Sequence, residues 1–248
     1  MNSKQQLVVY TEKASFEERE EALAKKVGAI LSKEPGEGLS LVWKQEGLTL
    51  SGYGLSFCGN FEQMLSRVSK GRLASEMLVH AARTKKEHPF AIDATAGMGE
   101  DSFLLSAYGY QVTMYEQNPV VAALLQDALD RAKAHPQLKE IVERMHLVEG
   151  NSTILMKGSG LQPDLIYLDP MFPARQKSGL VNKKLQLIQK LESPCVEEKD
   201  LFEAALSLHP GKIIVKRPQK GPFLDLRKPA YSNMGKAIRY DCYTFINK

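Results

Sequence analysis

The 248-residue sequence lacks several features that would assign it to a familiar class of protein. No stretch approaches the ~20 consecutive apolar residues that a membrane-spanning helix requires. Residues 1–13 contain no apolar run followed by a small-residue cleavage site. The only three cysteines are far apart and form no CxxC pair, and the five histidines show no metal-ligand spacing. We therefore expect a cytoplasmic protein with no bound metal and no membrane association.

The net charge is small, but its distribution along the chain is uneven. The whole chain carries +4, yet residues 170–248 contain 15 Lys or Arg and 7 Asp or Glu, a balance of +8. Residues 1–169 contain 18 and 22, a balance of −4. Such asymmetry is typical of a protein that meets a polyanion with one face, although solvated lysines give the same pattern. The composition is otherwise globular, with 43% hydrophobic and 25% charged residues.

The residue pattern divides the chain into two predicted domains, 1–65 and 66–248. The first is a small α/β unit with a helix over 16–31 and strands at 7–10, 39–43 and 48–50. A further amphipathic helix is predicted over 72–83.

From residue 90 onward, short apolar strands alternate with helices. Strands are predicted at 90–93, 111–116, 146–149, 164–169, 212–216 and 238–246, and helices at 101–108, 119–134, 180–191 and 200–208. This alternation predicts a Rossmann-like α/β fold, a mostly parallel doubly wound sheet with an antiparallel C-terminal strand. Right-handed crossovers bring the ends of the parallel strands to one crevice, where we expect a ligand site.

The first candidate site is the sequence D-A-T-A-G-M-G-E-D at residues 93–101. Asp93 ends a strand, and Gly97 and Gly99 permit positive φ and a close approach of the backbone to a ligand. Ser102 stands where a full dinucleotide fingerprint has its third glycine, so the pattern does not select the ligand. A glycine-rich turn without a ligand is the alternative.

An acidic residue also ends the next strand. Glu116 is placed to accept both hydroxyls of an adenosine ribose. NAD enzymes use the same device, so Glu116 indicates a nucleoside cofactor of either kind, and an acid beside the helix N-cap Asn118 is the alternative. Asn151 or Ser152, after the third strand, would bond the adenine edge or form an ordinary polar turn.

The fourth strand ends in D-P-M-F-P at residues 169–173, which resembles the [DN]-P-P-[YF] motif of amino-group methyltransferases. An exocyclic amino group is a weak nucleophile because its lone pair is delocalised into the ring. Acceptors that hold its N–H bonds and turn the nitrogen toward a methyl donor therefore favour transfer. Asp169 and the carbonyl of Pro170 are the predicted acceptors, and Phe172 is the predicted stacking surface for the base. A rigid turn with a helix-capping aspartate is the alternative.

Three segments together carry a closer resemblance: D-A-T-A-G-M-G-E-D, Y-E-Q-N-P-V-V-A-A-L-L from Tyr115, and Y-L-D-P-M-F-P-x-x-Q-K-S-x-L-V-x-K-K from Tyr167. They resemble the RsmJ family, bacterial methyltransferases that act on guanine N2 in 16S ribosomal RNA. The resemblance runs from about residue 71 to the C-terminus and is much thinner before residue 60. It implies a class I methyltransferase fold, S-adenosyl-L-methionine as cofactor, and 16S ribosomal RNA or the small ribosomal subunit as partner.

The resemblance also implies a set of site residues. Cofactor contacts fall on Glu100, Asp101, Glu116, Gln117, Asn151, Ser152 and Asp169, in addition to Asp93, Gly97 and Gly99 of the glycine loop. The basic residues beyond the catalytic loop are the predicted RNA contacts, namely Arg175, Lys177, Lys183, Lys184, Lys216 and Arg217.

Three other functions stay open from the residues alone. The same loop chemistry serves methylation of a DNA adenine or a protein glutamine amide. A non-catalytic RNA-binding protein with a vestigial cofactor site is a second alternative. An NAD-dependent oxidoreductase is the third, and in such an enzyme D-P-M-F-P has no role.

Overall fold

The computed structural model describes residues 6–170, 187, 191 and 198–245, and they form two sheets. The strands of the first sheet are β1 (Val8–Tyr10), β2 (Ile30–Ser32), β3 (Ser40–Lys44), β4 (Gly47–Gly52) and β5 (Leu55–Cys58). Their order is β2-β1-β3-β4-β5, with β1 parallel to both of its neighbours and two antiparallel hairpins following. This sheet and helix α1 (Glu18–Val27) are the predicted small α/β unit.

Helix α1 is shorter than the sequence predicts. It ends because Gly28 adopts a left-handed conformation (φ 67°) and its N–H donates to the carbonyl of Ala24. The apolar residues Ile30 and Leu31, which extend the helical periodicity, instead lie in β2 and pair with β1. The prediction of one helix over 16–31 is therefore wrong over residues 28–31.

Short helical turns connect the two sheets. They are a 3₁₀ turn at Phe61–Met64, α2 (Leu65–Val68), a second 3₁₀ turn at Leu73–Ser75 and α3 (Met77–Ala81). The predicted helix over 72–83 is interrupted because Glu76 is extended (ψ 127°). The division of the chain into two domains at residue 65 stays a prediction.

The second sheet has seven strands and confirms the predicted fold class. Its strands are β6 (Phe90–Asp93), β7 (Gln111–Glu116), β8 (Met145–Glu149), β9 (Leu165–Leu168), β10 (Lys212–Pro218), β11 (Tyr231–Met234) and β12 (Ile238–Thr244). Its helices are α4 (Glu100–Tyr108), α5 (Pro119–Lys133), α6 (Lys139–Val142), α7 (Ser152–Met156) and α8 (Glu198–Ser207), with a 3₁₀ turn at Leu224–Leu226. The predicted helix over 180–191 lies outside the described residues, except for 187 and 191.

The strand order β11-β12-β10-β9-β6-β7-β8 creates a switch point at the centre of the sheet. Strands β6 to β10 are parallel, whereas β12 is antiparallel to β10, as predicted. The chain winds from β6 toward β8 on one side and from β9 toward β10 on the other. The loops after β6 and β9 therefore diverge from neighbouring strand ends, where such sheets bind ligands.

The two sheets pack against each other through α5. Asp127 of this helix accepts hydrogen bonds from the Trp43 indole (3.4 Å) and the Leu48 backbone N–H (3.0 Å). The rings of Phe61 and Phe103 stack with their centroids 5.2 Å apart. One continuous apolar core consequently includes residues of both sheets. Within the described residues, no helix has both the length and the apolar composition needed to cross a bilayer.

Candidate active site

The loop after β6 is braced from below by Asp93. This carboxylate is 1% exposed and accepts hydrogen bonds from the Thr95 backbone N–H (3.0 Å) and the Ser102 hydroxyl (2.6 Å). Burial raises the pKa of Asp93 to about 7. The side chain thus fixes the glycine loop from inside the fold, a placement that does not fit the direct cofactor contact predicted for it.

The two glycines of the loop have different surroundings. Both have positive φ, 52° at Gly97 and 73° at Gly99. A Cβ added at Gly97 would meet no atom of the described residues within 4 Å, whereas one at Gly99 would lie 2.9 Å from the Leu125 side chain. Gly97 therefore borders open space that a ligand can enter, and Gly99 is needed for the packing of the loop on α5.

Glu116 is held at the end of β7 by two backbone donors. Its carboxylate accepts hydrogen bonds from the N–H groups of Gly97 (2.9 Å) and Asn118 (2.7 Å), and the residue is 6% exposed. Its own carbonyl accepts from the Gly150 N–H (2.8 Å), which ties the third loop to the second. We call Asp93, Gly97, Gly99 and Glu116 the glycine-loop site.

The other predicted cofactor contacts lie around this site. Asn151 is exposed, and its side-chain oxygen caps α7 through the Thr153 N–H (2.9 Å). Ser152 follows it at the first position of α7. Gln117 is exposed next to Glu116. Glu100 is exposed and lines a separate cleft.

That cleft, of about 290 Å³, opens between the glycine loop and the first sheet. Its lining includes Ser56, Cys58, Asn60, Gln63, Met98 and Glu100. No sequence pattern predicts it, because it forms only when β5 packs beside the loop.

A second group of side chains lies at the end of β9. The Lys216 ammonium is 2.8 Å from Asp169 Oδ2 and 2.8 Å from Asp101 Oδ2. The Tyr167 hydroxyl donates to the same oxygen of Asp101 (2.6 Å). We call Asp101, Tyr167, Asp169 and Lys216 the Asp169 cluster. The sequence predicts a cofactor contact for Asp101, whereas the structure directs its side chain to Lys216 and Tyr167.

The backbone of the Asp169 loop is fixed as well. Its N–H donates to the Thr95 hydroxyl (2.7 Å), which joins the loops after β6 and β9. Pro170 is buried directly behind it. A carboxylate at a rigid strand end, one loop away from an open glycine turn, is suited to hold a polar group of a second ligand.

Opposing effects set the charges in the cluster. Burial raises the pKa of the Asp169 carboxyl, and the Lys216 ammonium opposes that rise. Burial alone would lower the pKa of Lys216, but the carboxylates of Asp101 and Asp169 outweigh it and hold that pKa above its ordinary value. Among the described residues, no group of three or more His, Cys, Asp or Glu side chains is arranged to hold a metal.

Two of the predicted RNA contacts, Arg217 and Lys216, are paired with carboxylates. Arg217 is 1% exposed, and its guanidinium bonds to Glu198 (3.1 Å) and to the Pro222 carbonyl (2.9 Å). The prediction of a phosphate contact there is therefore wrong, because the charge is neutralised inside the fold. Lys216 is likewise paired with two carboxylates. Phe172, Arg175, Lys177, Lys183 and Lys184 lie outside the described residues.

Two comparisons with known proteins cover most of the chain. The family model described as "Putative SAM-dependent methyltransferase" matches residues 16–245. A protein of Thioalkalivibrio sulfidiphilus named ribosomal RNA small subunit methyltransferase J is 38% identical over 245 residues, covering 91% of this chain and 92% of that protein. The chain belongs to the methyltransferase J family.

Other members of the methyltransferase J family match a shorter stretch. The protein of Pseudomonas paraeruginosa is 46% identical over 156 residues, which cover 62% of this chain and 60% of that relative's length. A crystal structure of a SAM-dependent methyltransferase from Neisseria gonorrhoeae superposes with a TM-score of 0.74 at 28% identity, covering 96% of both chains. The predicted family resemblance and class I fold are thereby confirmed.

Proposed function

We propose that this protein transfers a methyl group from S-adenosylmethionine to the exocyclic N2 amino group of a guanine in 16S ribosomal RNA. The observation that carries the proposal is the placement of the Asp169–Pro170 turn. It lies at the switch point of a methyltransferase J fold, joined through Thr95 to the glycine-loop site.

The glycine-loop site fits the cofactor of this family. Gly97 borders open space, and Glu116 presents a carboxylate fixed by two backbone donors at the next strand end. We propose that Glu116 receives the ribose hydroxyls and that Asn151, Ser152 and Gln117 flank the adenine. When bound, S-adenosylmethionine supplies an electrophilic methyl carbon attached to a sulfonium sulfur.

The Asp169–Pro170 turn supplies what an amino group needs to react. The Asp169 carboxylate and the Pro170 carbonyl are two acceptors for two N–H bonds, and holding both directs the nitrogen lone pair. Methyl transfer would form the nitrogen–carbon bond and break the carbon–sulfur bond, whose electron pair stays on the sulfur, and the nitrogen would have to lose one proton. The Asp169 carboxylate is the base placed to take it.

The RNA substrate is proposed from the relatives and from the charge of the chain. The matched relatives are named for the RNA of the small ribosomal subunit. The C-terminal balance of +8 fits a phosphate-binding surface. Its proposed members are Arg175, Lys177, Lys183 and Lys184. We place the protein in the cytoplasm, where this RNA is found.

Nucleoside mass spectrometry after methylation with isotope-labelled S-adenosylmethionine tests the proposal. The substrates are small subunits and free 16S RNA from a strain that lacks the gene, duplex DNA, and a glutamine-containing protein. We expect label in N2-methylguanosine from one of the RNA substrates and none with Asp169→Ala, which keeps a normal unfolding transition. Label in DNA adenine or in glutamine, or near-normal transfer by Asp169→Ala, would contradict it.

A further inference from the structure

The Asp169 cluster contains one cation for two carboxylates. Lys216 contacts Asp101 and Asp169 at equal distances of 2.8 Å, and Tyr167 donates to the same oxygen of Asp101 that Lys216 contacts. Asp101 and Lys216 are separated by 115 positions in the sequence. Of the four residues in the cluster, the proposed chemistry uses only the carboxylate of Asp169 and gives no role to its two charged neighbours.

The register of the sheet explains how these groups meet. Strands β9 and β10 pair in parallel up to Leu168 and Val215, so the next residues, Asp169 and Lys216, emerge side by side. Tyr167 lies two residues before Asp169 and therefore on the same face of the sheet. Asp101 reaches this face from the first turn of α4. The arrangement is thus built into the central strands and does not depend on a surface loop.

Lys216 contacts one of the two oxygens of Asp169. The ammonium contacts Oδ2, and within the described part of the chain no residue donates a hydrogen bond to Oδ1. An ionised carboxylate in this position accepts an N–H bond more strongly than a protonated carboxyl group does, and only the ionised form can take up a proton. Burial beside the Asp101 carboxylate favours the protonated form, and Lys216 is the group that opposes this effect.

We propose that Lys216, anchored by Asp101 and Tyr167, is a positioning residue that keeps Asp169 ionised and directs its Oδ1 toward the amino group of the substrate. The inference rests on the proposed function, because it assigns Lys216 a role in the amino-group chemistry of Asp169. It replaces the phosphate contact that the sequence predicted for Lys216.

The two roles of Lys216 predict different kinetics. A phosphate contact strengthens RNA binding, so its loss raises KM and reduces the salt dependence of binding. A positioning residue acts on the reacting complex, so its loss lowers kcat and changes its pH profile.

Lys216→Met removes the charge while keeping most of the side-chain length. We expect kcat at pH 7 to fall on the order of 100-fold, KM for RNA to stay within about threefold, and the acid limb of the kcat profile to move to higher pH. Lys216→Arg restores part of kcat. The matched control is Lys139→Met, an exposed lysine of α6, which leaves all three parameters unchanged.

Asp101→Asn tests the same cluster in the opposite direction. The amide still accepts from the Tyr167 hydroxyl, but the negative charge beside Asp169 is gone. Lys216 then pairs with the Asp169 carboxylate alone, which lowers the pKa of Asp169. The acid limb of the kcat profile therefore moves to lower pH. This variant keeps the proposal testable if Lys216→Met does not fold. Two results would overturn the proposal. One is a higher KM with an unchanged pH profile in Lys216→Met, and the other is an unshifted acid limb in Asp101→Asn.

A titration without substrate separates this proposal from the proposed function. The carboxyl ¹³C resonance of Asp169, assigned by its absence in Asp169→Asn, reports the pKa of that group directly. We expect this pKa to rise in Lys216→Met and to fall in Asp101→Asn. If both changes occur while the wild type methylates no RNA, the proposed function fails and Lys216 is still shown to set the charge of Asp169. Equal pKa values in all forms contradict the role of Lys216 whatever the enzyme methylates.

Discussion

The glycine-loop site and the Asp169 cluster lie at neighbouring strand ends but are stabilised in different ways. In the first, backbone N–H groups of the same part of the chain hold the carboxylates. Gly97, for example, donates to Glu116, which is 19 positions further along the chain. In the second, side-chain charges from distant segments hold one another. Their aspartates differ accordingly, since the donors to Asp93 among the described residues are a hydroxyl and an N–H group, whereas Asp169 pairs with a lysine. A change of charge in the Asp169 cluster therefore alters ion pairs between several side chains, whereas one in the glycine-loop site alters hydrogen bonds from the backbone of the loops.

The largest expected effect is on kcat, and it distinguishes the Asp169 cluster from the glycine-loop site. Asp169→Asn keeps the size of the side chain but removes the acceptor charge. We expect kcat to fall on the order of 10²–10³-fold, the range seen when one group that stabilises a transition state is removed. Single-turnover rates measure the loss of methyl transfer. Calorimetry measures the cofactor affinity, which should change less than about threefold. A tenfold loss of affinity would mean that the two sites are not independent.

The buried Asp93 provides the second prediction, on the dependence of stability on pH. The folded-state pKa of Asp93, about 7, lies above its ordinary value of 3.8, so its contribution is fully present below about pH 4 and is lost as the pH rises through 7. The loss is roughly 4 kcal/mol of unfolding free energy, because each tenfold change in proton affinity between the folded and unfolded states corresponds to about 1.4 kcal/mol. Urea unfolding from pH 4 to 8 should show it in the wild type and not in Asp93→Asn. Identical pH slopes in both proteins would contradict the neutral state of Asp93.

The third prediction concerns the proposed ribose contact. Glu116→Gln removes the charge that two backbone N–H groups stabilise, and a hydrogen bond to a charged group contributes about 1.5–3 kcal/mol. We therefore expect cofactor affinity to fall on the order of 10- to 100-fold, with the transfer rate at saturating cofactor changed only a few-fold. Glu149→Gln is the matched control, because Glu149 ends the next strand and pairs with Lys26 (2.6 Å). Equal effects of the two substitutions would remove Glu116 from the site.

The smallest effect distinguishes the two glycines. Alanine at either position is strained by about 1–2 kcal/mol because φ is positive. Gly99→Ala also meets Leu125, so it should unfold at lower urea concentration than Gly97→Ala. Gly97→Ala should lose more cofactor affinity than Gly99→Ala, because its new methyl group enters the open space above the loop. Parallel losses of stability and affinity in both variants would show that the loop has no ligand-facing side.

The same contrast explains what the sequence could predict. The Gly97–Gly99 loop, Glu116 and the Asp169–Pro170 turn are all recognisable because each is a local pattern at the end of an apolar strand. The partners of Asp169 are not, because Lys216 and Asp101 meet it only through strand pairing and helix packing. The phosphate contact predicted for Arg217 is wrong for the same reason, since its position in β10 does not reveal that Glu198 covers it. Helix α1 ends early at Gly28, where one left-handed residue outweighs the helical periodicity beyond it.

The most direct test of the account is mass spectrometry of 16S ribosomal RNA from a strain that lacks the gene. Complementation with the wild-type gene and with the Asp169→Ala variant completes the comparison. We predict the loss of one N2-methylguanosine in the deletion strain, its return with the wild-type gene and its continued absence with the variant. An unchanged RNA in the deletion strain, or full restoration by Asp169→Ala, would contradict the assignment of this turn to amino-group methylation.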